Sequence, residues 1–150
     1  MDQNSKILTI SALISKSTDL GESEKKVISE CLNIIREISP IDGALIFSKM
    51  ERIINLSDDL AWIITLLNIS RNALRKDIQK IKDPKYVALV RQNRPSSAAI
   101  ESEIRISNKD IVSLESTESD LLIIIEYLNS IQKSLDRYLW VLRDKEQYSK

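Results

Sequence analysis

Residues 100–145 read IESEIRISNKDIVSLESTESDLLIIIEYLNSIQKSLDRYLWVLRDK, and no glycine or proline interrupts them. Within and around this stretch Ile104, Ser107, Ile111, Leu114, Glu118, Leu121, Ile125, Leu128, Gln132, Leu135, Leu139 and Leu142 fall alternately three and four apart, and nine of these twelve are apolar. A strand would alternate every second residue, whereas a sustained seven-residue repeat specifies a helix with a seam that packs on another helix. No glycine or proline follows Pro95, and Pro95, Ser96 and Ser97 form a start signal, so the spacing predicts one helix from Ser96 to about Gln147. The run Leu121 to Ile125 is apolar on every face, which predicts contact with more than one neighbour.

That length has a consequence for assembly. At 1.5 Å per residue such a helix spans roughly 78 Å, while a compact 150-residue globule has a radius of gyration of about 15 Å. A seam that long is predicted to stay uncovered in one copy, so Ile104, Ile111, Leu114, Leu121, Ile125, Leu128, Leu135, Leu139 and Leu142 are read as the interface of a homo-oligomer. Glu118 and Gln132, polar at seam positions, are expected to fix register or subunit number at some cost in stability. The fold class that follows is all-α, an elongated helical bundle with a long C-terminal helix of coiled-coil character.

Upstream, Ser57, Asp58 and Asp59 have the chemistry of a helix start, since their side chains accept from free backbone donors and complement the helix dipole. A helix from there would carry Leu60, Ile64, Leu67, Leu74, Ile78 and Ile81 on one stripe, and Pro84 would kink it or end it before a restart through Tyr86 and Val90. Shorter apolar patterns run through Val27, Ile28, Cys31, Leu32, Ile35 and Ile38, through Leu45, Ile46, Met50, Ile53 and Ile54, and through Ile7, Ile10, Leu13 and Ile14. The division expected is an N-terminal helical extension over residues 1–40 and a helical domain over 41–150.

Composition narrows the chemistry. The chain of 150 residues has no histidine and a single cysteine, Cys31, which removes the usual general base, most metal sites and an internal disulfide framework. There is no glycine-rich phosphate loop and no cluster at metal-ligand spacing, so neither catalysis, metal nor cofactor is expected. Cys31 lies on an apolar helix side and is read as a small core residue. The longest mostly apolar uncharged run, Leu60 to Ser70, is shorter than the ~20 residues of a membrane span. Near the N-terminus, ILTISALI has Asp2 before it and no small-residue cleavage motif after it, which speaks against a signal peptide. The reading is a soluble cytoplasmic protein without a membrane segment.

Charge supplies the functional signal. The 22 basic and 22 acidic residues cancel only in total: residues 1–70 are net −3, 71–94 are +6, and 95–150 are −3. Arg71, Arg75, Lys76, Lys80, Lys82, Lys85, Arg91 and Arg94 concentrate positive potential between acidic flanks, and polyanions are natural partners for such a block. Tyr86 within it could stack on an exposed base or pack between helices. The alternative for the cations is pairing with acidic residues of a neighbouring helix, such as Glu101, Glu103 or Glu115. Three readings stay open: a single-strand binder, an oligomeric structural or adaptor protein, and a small helical effector that binds a host protein.

The order of parts, an Ile41–Asp42 turn, a first apolar helix, a helix through Trp62 that becomes basic in ALRKDIQKIKDPKYVAL, a short break and one long helix, resembles the UvsY-type recombination mediators of large tailed phages. The likeness covers about Ile41 to Lys145 and is one of layout and charge. The tandem tyrosines and following glycine of that family's basic region are replaced here by Lys85 and Tyr86 with no glycine. The resemblance implies a homo-oligomer that binds single-stranded DNA, displaces the single-strand-binding protein and helps load a RecA-like recombinase, in a bacterial host cell if the chain is a phage's. By position it implies phosphate contacts from Arg71, Arg75, Lys76, Lys80, Lys82 and Lys85.

Overall fold

The structure, a computed structural model, describes residues 3–37, 45–91 and 96–148, with side chains from 10 to 145 among them. The described residues form five helices and no strand: α1 (Gln3–Lys16), α2 (Glu22–Arg36), α3 (Ile46–Arg91), α4 (Ser97–Ser107) and α5 (Lys109–Tyr148). The all-α class is therefore as expected, with two long helices. The Ile41–Asp42 turn, Ile38, Pro95 and Arg94 lie outside the described residues.

Two compact units divide the chain: Met1–Leu67 with Ile123–Lys150, and Asn68–Leu122. This differs from a boundary near residue 40. The N-terminal helices are no separate extension, because α1 and α2 belong to the same unit as the first half of α3 and most of α5.

In the first unit α3 buries Ile46, Ile53, Leu60 and Leu67 at every seventh position, with Leu56 and Ile63 three residues after two of them. That stripe explains why α3 does not begin at Ser57. Helix propensity disfavours Ser or Asp in an interior by up to ~0.7 kcal/mol each, whereas burying Leu56 and Leu60 stabilises by about 1.5–3 kcal/mol each. Burial wins, and Asp58 and Asp59 stay exposed mid-helix. On α5 the facing stripe is Ile124, Ile125, Leu128, Ile131, Leu135 and Leu142, and α2 adds Ile28, Cys31 and Ile34. Polar contacts tie the four helices. Gln132 Nε2 donates to the Ser57 carbonyl at 3.2 Å, Lys25 Nζ donates to the Ser15 carbonyl at 3.0 Å, and Lys49 pairs with Glu37 while lying 5.3 Å from the Tyr138 ring centre. Cys31 is wholly buried; burial first, and then the Glu30 and Asp59 carboxylates, push its thiol up to about 11.

The second unit is built on Ile100, Ile104 and Ile111, against which Ile81 and Leu89 of α3 pack. Ser96 caps α4, its side chain accepting from the Ala99 N–H at 3.2 Å. Pro84 neither ends nor restarts α3, which continues to Arg91. Proline leaves the carbonyl four residues back without its helical donor, and Pro84 lies on the exposed side, where water supplies one.

Two expectations about the C-terminal region are corrected. The predicted single helix is two, separated at Asn108, whose backbone is extended at φ −138° and ψ 102°. The Asn108 N–H closes α4 on the Ile104 carbonyl at 3.0 Å, and its side-chain oxygen opens α5 by accepting from the Asp110 N–H at 3.0 Å. One residue thus ends one helix and caps the next. The assigned oligomer seam is also not an uncovered surface: Ile104, Ile111, Leu121, Ile125, Leu128, Leu135 and Leu142 are buried, and Leu114 and Leu139 half-buried, within the one chain. The premise failed because α3 matches the seam. Gln132 and Glu118 set register inside the chain, bonding to Ser57 and Arg71. In the run 121–125, Leu121, Ile124 and Ile125 are buried but Ile123 stays 42% exposed.

Among the described residues one helix, α3, is long and apolar enough to cross a membrane by length and composition, at a mean hydropathy of 1.2 over its most apolar window. This exceeds what its uncharged runs alone suggested. Asp58 and Asp59 are exposed in its first third, and carboxylates within a span are costly in hydrocarbon.

Candidate nucleic-acid interface

The second half of α3 carries the basic block, and helical spacing sorts it into two sides. Ile78 is buried, and Arg71, Leu74, Ile81, Lys82, Lys85 and Leu89 around it are half-buried, so these share the side that meets α4 and α5. Lys76, Lys80, Val87 and Arg91 lie on the opposite side and are exposed. Arg75 is exposed at the margin between the two.

The inner cations are matched by carboxylates of α5. Arg71 Nε donates to Glu118 Oε1 at 2.7 Å, both side chains about one-fifth exposed. Lys82 Nζ lies 2.7 Å from Glu115 Oε1, and Arg105 of α4 donates to Glu115 Oε2 at 3.1 Å. Partial burial pushes the Glu115 carboxyl upward, but Lys82 and Arg105 outweigh it and hold the group below its ordinary value. Lys82, Arg105, Glu115 and Glu118, with Arg75, Ile78, Gln79 and Ser119, line an open cleft of about 330 Å³. Three cations meet two carboxylates there, so the cleft is largely self-neutralised.

The outer cations are different. Among the described residues none of Arg75, Lys76, Lys80 and Arg91 forms an ion pair, and neither does Lys85 on the inner side. Arg75, Lys76, Lys80 and Arg91 are also exposed, whereas Lys85 is half-buried. Tyr86 is 37% exposed, and its hydroxyl lies 3.2 Å from Ser97 Oγ at the start of α4, which fixes the ring between the helices. It lines a groove of about 260 Å³ with Gln79, Lys82, Asp83, Glu101 and Ile104.

Of the nine positions assigned to DNA contact, then, Lys76, Lys80 and Arg91 face outward with no ion pair among the described residues, Arg75 is exposed and without one at the margin, Lys85 is half-buried, Arg71 and Lys82 are paired inside the chain, Tyr86 is tied to α4, and Arg94 lies outside the described residues. Sequence reasoning named Glu115 as a possible partner and missed Glu118 and Arg105. A signal existed: Arg71 and Lys82 are 11 residues apart, three helical turns, and Glu115 and Glu118 are one turn apart, so each pair shares one helix side. Among the described residues no group of three or more His, Cys, Asp or Glu side chains could hold a metal ion. Comparison with protein families, with curated proteins and with solved structures finds no match to this chain.

Proposed function

We propose that this chain is a non-enzymatic, cytoplasmic single-stranded DNA-binding protein whose outward cations on α3 neutralise phosphates. The supporting observation is the sorting of charge on one helix: acids of the same chain satisfy Arg71 and Lys82, while Arg75, Lys76, Lys80 and Arg91 stand exposed and, among the described residues, unpaired. Recognition is electrostatic and tolerant of sequence, because phosphate contacts position a strand without reading it. The finer role, a recombination mediator that displaces a single-strand-binding protein and assists loading of a RecA-like recombinase, rests on the likeness of layout to UvsY-type proteins. Several copies acting on one strand would convert modest single-site charge into avidity.

A second reading, a structural or adaptor protein, draws support from the two ion pairs that use basic-block residues to hold α3 against α5. Titration of a fluorescent oligonucleotide at several salt concentrations separates the two. With about four phosphate contacts, log affinity is expected to fall with log salt at a slope near −3. Changing Arg75, Lys76, Lys80 and Arg91 together to Glu abolishes that binding while helicity is retained. A native chain that binds no oligonucleotide at low salt removes the DNA reading and leaves the adaptor.

A further inference from the structure

In the first unit α3 has a second apolar side. Phe47 is 69% exposed, Ile54 40%, Trp62 63% and Leu66 38%, and helical spacing places them on the side opposite the buried Leu60 stripe, together with exposed Glu51, Asn55, Asp58 and Thr65. The helix is apolar enough to pass for a membrane span, yet only 33% of its most apolar window is buried inside the chain. A helix apolar all round is normally covered all round. We infer that this outward face of α3 is where two copies of the chain meet, through an antiparallel α3–α3 contact.

Area and chemistry both point to a second copy. With about 200 Å² for a whole aromatic side chain and somewhat less for Ile or Leu, the four exposures leave roughly 400 Å² of apolar surface per copy, within the ~300–600 Å² of a monomer's largest patch, which is often functional. A symmetric pair doubles this, and with the intervening polar residues it approaches the ~1,200 Å² at which specific interfaces begin. The face is also complementary to itself. If two helices cross antiparallel at the level of residue 60, Ile54 meets Leu66 of the other copy and Asp58 meets Trp62. The Asp58 carboxylate and the Trp62 indole N–H have no hydrogen-bond partner among the described residues, and one accepts what the other donates. No like charges are set opposite each other in that register, as an isologous contact requires. Asp58 in the middle of the face is the argument against a lipid occupant.

This inference deepens the proposed function by supplying the surface that would give avidity, but it does not depend on nucleic acid, so the two are tested in separate measurements. Sedimentation velocity of the full chain without DNA is expected to show a dimer at micromolar concentration. Trp62→Glu raises the dissociation constant at least tenfold with circular-dichroism helicity unchanged, whereas Trp140→Glu, at an equally exposed tryptophan on α5, leaves the dimer intact. Should Trp62→Glu fail to fold, Asn55→Cys with Thr65→Cys decides: the register sets these two exposed positions opposite each other across copies, about 15 Å of helix separates them within one chain, and Cys31 is buried, so oxidation yields an interchain disulfide. A native chain that is monomeric at tens of micromolar overturns the inference, as does a Trp62→Glu protein that stays dimeric or an Asn55→Cys, Thr65→Cys chain that never crosslinks. A monomer that floats with zwitterionic lipid vesicles overturns it in favour of a bilayer.

Discussion

The two halves of α3 solve different problems with the same backbone. From Ile46 to Leu67 the inward side is a continuous aliphatic stripe, six of whose members are no more than 5% exposed. From Asn68 to Arg91 only Ile78 is buried, and the inward side combines Ile81 and Leu89, packed against Ile100, Ile104 and Ile111, with the pairs Arg71 to Glu118 and Lys82 to Glu115. The outward sides differ as well: apolar and aromatic in the first half, cationic in the second. A half fixed by apolar burial can present a sticky outer face, while a half fixed partly by ion pairs keeps its remaining cations available. Charge on α3 is thus used twice, as internal fastening and as solvent-facing potential.

The sharpest way to break this contrast is a substitution in each half. Leu60→Ala, in the aliphatic stripe, is expected to cost about 2–5 kcal/mol, whereas Lys80→Ala should stay within about 0.5 kcal/mol of wild type; equilibrium urea unfolding compares them. Equal losses would mean that the outward cations carry structural contacts. Next in size is the split within the basic half. Arg71→Gln leaves Glu118 unmatched and should cost about 1 kcal/mol with little change in oligonucleotide affinity, while Lys80→Gln lowers affinity without moving the melting temperature. The reverse pattern would invert the assignment of inner and outer cations.

A smaller effect tests the reserve of inward charge. Glu115→Gln frees Lys82 and Arg105 from their shared carboxylate, and each cation that then reaches a phosphate steepens the salt slope by about 0.7. The same residue predicts the least effect, in acid. Glu115 titrates below its ordinary value of 4.5 in the folded chain, so between its folded and unfolded values the unfolded state binds more protons and stability rises with pH. The contribution is complete above the unfolded value and is lost as pH falls through the folded one. Unfolding followed from pH 5 downward should show this loss in the native chain and a reduced loss in Glu115→Gln.

The helical class and the long seam were legible because they depend on local periodicity and on the scarcity of glycine and proline. What covers the seam was not legible: a heptad stripe specifies a matching partner without saying whether it comes from the same chain, and here Gln132 finds Ser57 within it. Ser57, Asp58 and Asp59 misled because capping chemistry is local, while the stripe from Ile46 to Leu67 that overrides it is a tertiary fact. Asn108 erred in the other direction. Its ability to close one helix and open the next was visible in SNKD, but the uninterrupted spacing of Ile104 and Ile111 concealed the break. The basic block was found from charge alone, and its inner and outer members separated only once Glu115 and Glu118 were placed opposite.

Lysine acetylation read by mass spectrometry tests the account most directly, because it reports burial, pairing and DNA contact residue by residue. In the free protein Lys76 and Lys80 should react fast and Lys82, held by Glu115, slowly; saturating oligonucleotide should protect Lys76 and Lys80 and leave Lys82 unchanged. Lys82 reacting as fast as Lys80 without DNA, or Lys76 and Lys80 unprotected while the strand is bound, would contradict it.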